Sequence, residues 1–387
     1  MHRCAPDVLA LARSAWDGCP SNGWQLAAAN DSAVVARYPN PVHVNVGANK
    51  GYAAALFLAL WSRRSRPGVD DATPYGVNPR VWHQKILDYA MRNGGKRRGY
   101  LTQSQNACGA CMACRWPSCR RGNAADCPHS RDGGTVHMLE LVAANRALLR
   151  NLTSVTRTTD LLHVHEFAAS NWTHRIVAPP AYAGQETASI LELDNQYAKR
   201  KNWTANLDAV ALDDFFDAQQ LREIFLVSID TEGSDALVLE GMRRTLLAGR
   251  VAFLEFEVGR YKGYWRTFMP EARWLNTTIA WLHGAGYECF MEAQKRLAPL
   301  SGACWRSELS EPRWSNVLCG RVGLPARVLQ REARRHYPEV EVDVREDAPP
   351  PADGGGATGA ARLRRKGLAA SGGQPLQAPL RPSFSES

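Results

Sequence analysis

The chain has 387 residues, 45% of them hydrophobic and 22% charged, a globular composition with room for one large α/β domain and its appendages. No apolar run approaches the ~18 residues of a membrane-spanning helix, and the first 31 residues hold no apolar segment of the signal-peptide kind. The net charge of +9 is unaccompanied by any recognisable nucleic-acid-binding module, so nucleic acid is not the expected partner.

In chain order, residues 1–40 read as a helical lead-in and loop containing Cys4, Cys19 and Pro20. Residues 41–46 (Pro-Val-His-Val-Asn-Val) read as a buried parallel strand, broken by Gly47-Ala-Asn-Lys-Gly51 and followed by an Ala- and Leu-rich helix over 52–64. Residues 67–134 read as irregular, being rich in Gly, Pro, Cys and basic side chains. Strands are expected at 135–139, 161–167, 224–229, 251–256, 287–291 and 315–319, with helices at 142–152, 236–247 and 274–283 and a polar, turn-rich connection over 171–210. Such alternation predicts a mostly parallel sheet covered by helices on both faces. No helix of any length separates the last two strands, so that pair can run antiparallel. After about residue 345 Pro, Gly, Ala, Ser and Arg dominate, the composition of a disordered tail.

Four places carry chemistry. The Gly47–Gly51 loop follows a strand and opens a helix, the context in which a glycine bend exposes backbone N–H groups to a polar or anionic group; a plain strand-to-helix turn looks much the same. Glu140 ends the second strand, where nucleotide-binding folds place an acid for ribose hydroxyls. Ser228-Ile-Asp-Thr-Glu-Gly233 sets Asp230 and Glu232 at the end of an apolar strand. Phe253-Leu-Glu-Phe-Glu257 repeats the pattern, with Glu255 and Glu257 on one face. Buried acids need partners, so their recurrence at strand ends points to a site, although Asp230 or Glu232 could instead hold a loop or cap a helix.

The order Val46-Gly-Ala-Asn-x-Gly51, Leu139-Glu140, Ala144-Asn145-x-x-Leu148-Leu149, Ala168-Ala-Ser170, Ile229-Asp-x-Glu-Gly233, Val238-Leu-x-Gly241 and Glu255-Phe-Glu257 resembles the FkbM family of methyltransferases over about residues 42–320. The resemblance implies a Rossmann-like class I methyltransferase fold over residues 41–325, with a seven-stranded, mostly parallel sheet, helices on both faces and an antiparallel last strand. It makes residues 67–134 a Cys-rich basic insertion. It implies S-adenosyl-L-methionine as cofactor, its methionine part flanked by Gly47, Asn49 and Gly51, its ribose held by Glu140, and its adenine near Ala169 and Ser170. Asn45, also expected on the cofactor side, stands where the family usually carries Asp, and Leu141 where it commonly carries Pro. The implied reaction is O-methylation of a hydroxyl on a small molecule or glycan. Asp230 is the preferred base or acceptor-orienting group, adjoining the cofactor, with Glu232 and Glu257 as secondary candidates. A non-catalytic binding protein on the same fold is the rival reading, motivated by Asn45 and the insertion. A dinucleotide-dependent oxidoreductase fits the Asp230–Gly233 pattern less well.

Five of the ten cysteines crowd into residues 108–127. Cys108, Cys111, Cys114 and Cys119 have the density of a zinc site, with Cys127 and His129 as further ligands, or of a disulfide-stapled loop. Five Asn-x-Ser/Thr sequons, at Asn30, Asn151, Asn171, Asn202 and Asn276, join the cysteine count in favouring a secretory or Golgi lumen, against which stands the lack of a visible signal peptide.

Overall fold

The computed structural model describes residues 23–62, 79–93, 134–176, 183–185, 207–259, 274–293, 296–310 and 314–336. The expectations for Cys4, Cys19, Cys108, Cys111, Cys114, Cys119, Cys127, His129 and the tail fall outside them. The chain divides into residues 1–347 and 348–387; the elements below belong to the first.

The strands are β1 (Val42–Val46), β2 (Thr135–Leu139), β3 (Leu162–His165), β4 (Phe167–Ser170), β5 (His174–Ile176), β6 (Leu207–Ala211), β7 (Ile224–Ile229), β8 (Val251–Gly259), β9 (Tyr287–Ala293), β10 (Arg296–Pro299) and β11 (Trp314–Arg321). Eight form one sheet in the order β10-β9-β11-β8-β7-β1-β2-β3, and β4-β6-β5 form a second. From β3 to β8 the large sheet is parallel, whereas β11 runs antiparallel to both β8 and β9. All seven expected strands of the large sheet are present. The eighth, β10, is a correction: it pairs antiparallel with β9 and is short, basic at one end and closed by Pro299, an edge-strand composition easily read as loop.

Three further corrections concern local structure. The expected strand over 161–167 is cut at Glu166, and its last residue, Phe167, opens β4 of the small sheet. There it pairs with β6, which lies inside the stretch read as a polar connection; β6 alternates buried and half-buried residues, as a one-sided strand does. Residues 67–134 are not irregular throughout, because α4 (Pro79–Arg92) is a helix. Pro79 suits its first turn, and Trp82, Ile86 and Ala90, four residues apart, are all buried.

The remaining helices are α1 (Gly23–Asn30), α2 (Ser32–Arg37), α3 (Tyr52–Trp61), α5 (Ala143–Val155), α6 (Leu212–Ala218), α7 (Asp235–Gly241), α8 (Arg243–Leu247), α9 (Leu275–Gly284) and α10 (Leu324–His336). The single helix expected over 236–247 is thus two, divided at Met242, while α10 had no counterpart in the sequence reading. One face of the sheet, with Val46, Ile229 and Phe256, packs against α6–α9. The other, with Met138, Leu226 and Phe253, packs against α1, α3, α4, α5 and α10.

Cys289 and Cys319 are directly paired across β9 and β11, fully buried and joined in a disulfide. The bond pins the antiparallel pair that closes the sheet. Replacing both cysteines by Ala should cost about 3 kcal/mol of stability, read as a lowered urea midpoint relative to the oxidised parent.

Candidate functional site

β1 enters a bend in which three of five residues are left-handed: Gly47 (φ 77°), Asn49 (φ 48°) and Gly51 (φ 76°). A Cβ on Gly47 would stand 1.9 Å from the Asp230 carbonyl oxygen, so the bend requires glycine for space as well as for φ. The N–H groups of Gly47 and Ala48 donate to the Leu139 carbonyl at 3.0 and 3.1 Å, and the Asp230 N–H donates to that of Val46 at 3.0 Å. The bend therefore laces together the ends of β1, β2 and β7. Gly51 allows two helices to approach the bend: a Cβ there would meet Leu149 of α5 at 2.8 Å and the Trp82 ring of α4 at 3.0 Å. Trp82 Nε1 also donates to the Lys50 carbonyl at 2.7 Å, so α4 braces the bend from behind.

Glu140 lies against this bend. It is 4% exposed; its Oε2 accepts the Asn49 N–H at 2.6 Å and its Oε1 accepts the Val142 N–H at 2.7 Å. Burial pushes its pKa up to about 6, and the two N–H donors and the Arg146 charge limit the rise. An ionised carboxylate offers about four lone-pair directions, so each oxygen retains capacity for a ligand hydroxyl. Asn49 Oδ1 is buried with no hydrogen-bond partner. A carboxylate to accept from hydroxyls and an orphaned amide oxygen to accept from an amino group form a pair of acceptors that suits an amino-acid nucleoside.

Facing the bend, one oxygen from each of Asp230, Glu232 and Glu257 lies within 4.8 Å of the other two. Asp230 keeps exposed surface, and the other two are half-buried. Although open at one side, Asp230 is packed round by protein atoms. That burial, then the charges of Glu257, Glu232 and Asp235, and a hydrogen bond to Glu257, raise its pKa well above the ordinary aspartate value. Carboxyls this close share protons, because both members of a pair cannot readily ionise. Proton sharing accounts for the approach without a cation.

A row of polar side chains backs the cluster on the same sheet face. Asn45, Ser228 and Glu255 are in register across β1, β7 and β8. The Ser228 hydroxyl donates to Asn45 Oδ1 at 3.2 Å and lies 2.8 Å from His43 Nε2, so His43 donates from Nε2 and its buried Nδ1 is left without a partner. Burial lowers the His43 pKa to about 3, and the chain of bonds is neutral at physiological pH. Asn45 is 5% exposed and belongs to this network. Further along, Asn316 Nδ2 donates to Glu255 Oε1 at 2.9 Å, and burial followed by the Glu255 charge raises the pKa of Glu292.

Ala169 and Ser170 sit within β4, 4% and 2% exposed. Ala169 packs with Val46, Leu139 and Ile229, and the Ser170 carbonyl lies so near Gly241 that a Cβ there would be 2.0 Å away. They form packed wall behind the strand ends, with little surface of their own. The structure thus brings Gly47, Asn49, Glu140, Asp230, Glu232 and Glu257 to one end of the sheet, keeps Asn45 just beneath, and sets Gly51, Ala169 and Ser170 in supporting positions.

Residues 108–289 match the family model described as Methyltransferase FkbM domain. The match covers a little under half of the chain, which over that stretch is similar to FkbM methyltransferases. The match includes Glu140 and all three acids of the cluster, and the glycine bend, which precedes it, joins them through the parallel pairing of β1 with β2 and β7. No curated protein and no solved structure matches the chain.

Two residues beside the carboxylate cluster carry no mark in the sequence. Asp235 is wholly buried and accepts hydrogen bonds from Thr231 and from the Glu257 backbone. In the sequence it is one more acid in the first turn of a helix. Asn316 faces the acids only because β11 returns antiparallel between β8 and β9, and no local signal announces that register.

Proposed function

We propose that the chain is an S-adenosylmethionine-dependent O-methyltransferase acting on a hydroxyl acceptor such as a carbohydrate. The observation carrying this reading is the contact between the buried Glu140 carboxylate and the Asn49 N–H of the glycine bend, across from a carboxylate cluster at the end of β7. Glu140 holds the ribose hydroxyls. The bend from Gly47 to Gly51 takes the methionine part, with Asn49 Oδ1 accepting from its ammonium and Asn45 supporting the bend from below. The adenine lies towards the wall supported by Ala169 and Ser170. S-adenosylmethionine, when bound, supplies an electrophilic methyl group on a sulfonium.

The rest of the chemistry belongs to the chain. Asp230 is the open member of a proton-sharing pair with Glu257, which at neutral pH keeps one ionised oxygen to take the acceptor's hydroxyl proton. Glu232 orients the acceptor. The cluster's negative charge also favours a cationic sulfonium nearby. The buried Cys289–Cys319 disulfide supports an oxidising compartment.

Calorimetric titration with S-adenosylmethionine, followed by labelled-methyl transfer to a panel of glycans, lipids and small hydroxyl compounds, tests the proposal. Absence of binding would favour a non-catalytic role. Asp230→Asn should lower kcat about 100-fold while leaving cofactor affinity within about twofold. Unchanged turnover removes Asp230 from the mechanism.

A further inference from the structure

Asp235 opens α7 and has no exposed surface. Its Oδ2 accepts from the Thr231 hydroxyl at 2.8 Å, and its Oδ1 accepts the Glu257 N–H at 3.1 Å. One carboxylate therefore ties the loop after β7 to the end of β8, the two segments that carry the three clustered acids. Thr231 lies between Asp230 and Glu232, so its anchor fixes both neighbours. The anchor also holds a turn of unfavourable backbone: Glu232 is left-handed without being glycine (φ 54°), and Gly233 follows at φ 100°. Such residues persist only where surrounding bonds over-determine them.

We propose that Asp235 is a positioning residue for the methyl-transfer site, holding Thr231 and the Glu257 backbone so that Asp230, Glu232 and Glu257 converge, and adding negative charge to the field they feel only once it ionises. The assignment rests on reading the cluster as the acceptor side of a methyltransferase. The titratable groups facing Asp230 are Glu257 from β8, Glu232 from its own loop and Asp235 from α7; those facing Asp235 are Glu257 and, as a hydrogen-bond partner, Thr231. Burial, and then the Glu257 charge, raises the Asp235 pKa to about 8. Its charge in turn raises that of Asp230.

Asp235→Asn separates charge from geometry. The amide oxygen still accepts the Glu257 N–H, and the Thr231 hydroxyl can rotate to accept from the amide nitrogen. The variant lacks the negative charge that the parent Asp235 acquires at about pH 8 and above, and there the last proton should leave Asp230 and Glu257 more easily. Carboxyl titration of the full-length protein without cofactor, followed by infrared spectroscopy, should show the shared proton leaving about one pH unit lower in Asp235→Asn. With S-adenosylmethionine and an active acceptor, the kcat profile should part from the parent's where the parent Asp235 ionises, at about pH 8 and above, with KM for the cofactor within about twofold. Thr231→Val removes the anchor without touching a carboxylate, and should lower kcat about tenfold at unchanged cofactor KM.

An Asp235→Asn titration superimposable on that of the parent overturns the role of the charge. A Thr231→Val enzyme with parental kcat overturns the role of the anchor. If the parent transfers no methyl group, the functional reading fails while the infrared titration still decides whether Asp235 governs the cluster.

Discussion

Gly47→Ala should abolish S-adenosylmethionine binding and cost on the order of 3 kcal/mol or more of stability. Two causes act at once. The residue sits at φ 77°, where an L side chain is strained. The added methyl would also stand 1.9 Å from the Asp230 carbonyl oxygen, a backbone atom with no rotamer to yield. Relief requires β1 and β7 to part at their ends, and that movement would break the Asp230-to-Val46 and Gly47-to-Leu139 backbone bonds. The bend would then separate from both Glu140 and the carboxylate cluster. Thermal unfolding and calorimetric titration of the variant check the two halves of this expectation. Gly51→Ala should be milder, because its closest contact is the flexible tip of Leu149.

Glu140→Gln should weaken S-adenosylmethionine binding about 10- to 100-fold, the worth of a hydrogen bond to a charged group. The amide can accept only on its oxygen, so either the Asn49 or the Val142 N–H would face another donor. A pH signature accompanies the loss. Glu140 has a folded pKa of about 6 against an ordinary 4.5. Being raised, it contributes stability that is fully present below 4.5 and lost as pH rises through about 6. The loss amounts to about 2 kcal/mol. Cofactor affinity should run the other way, rising through the same interval as the carboxylate ionises. Asp235, at about 8, and Glu255, at about 6, carry the same sign, so the Glu140 share is the difference between parent and variant. Unfolding midpoints of both proteins at pH 4.5 and 7 should converge in slope only if Glu140 does not titrate in this window.

The sequence made the strand ends legible because chemistry and periodicity coincide there. An apolar run that stops at Glu140, or at Asp230, displays both a buried strand and an acid at its mouth. The bend was readable for the same reason, with Gly47 and Gly51 enclosing Asn49. What remained hidden depends on partners far away in the chain. The Trp82, Ile86 and Ala90 stripe of α4 lies in a region whose Gly, Pro and Cys content suggested irregular chain. β6 needed β4 beside it to become a strand, and β4 seemed to continue β3 until Glu166 divided them. Asp235 and Asn316 become site residues through the loop after β7 and the return of β11, which are tertiary facts. Ala169 and Ser170 show the converse: their place in chain order was readable, but their burial against Gly241 was not.

Asp31 caps α2 through the Ala33 and Val34 N–H groups and also takes an ion pair from Arg331 of α10. The segment before the first strand is thereby closed by the helix after the last. α10 covers the sheet beside α1 with Val328, Leu329 and Ala333. During synthesis, the strands under α10, β9 to β11, stay uncovered on that face until about residue 336 has left the ribosome. The α6–α9 side draws its partners from nearby sequence and can assemble earlier. Contacts this distant along the chain slow folding, and the uncovered apolar strands are the stretch most in need of a chaperone's protection.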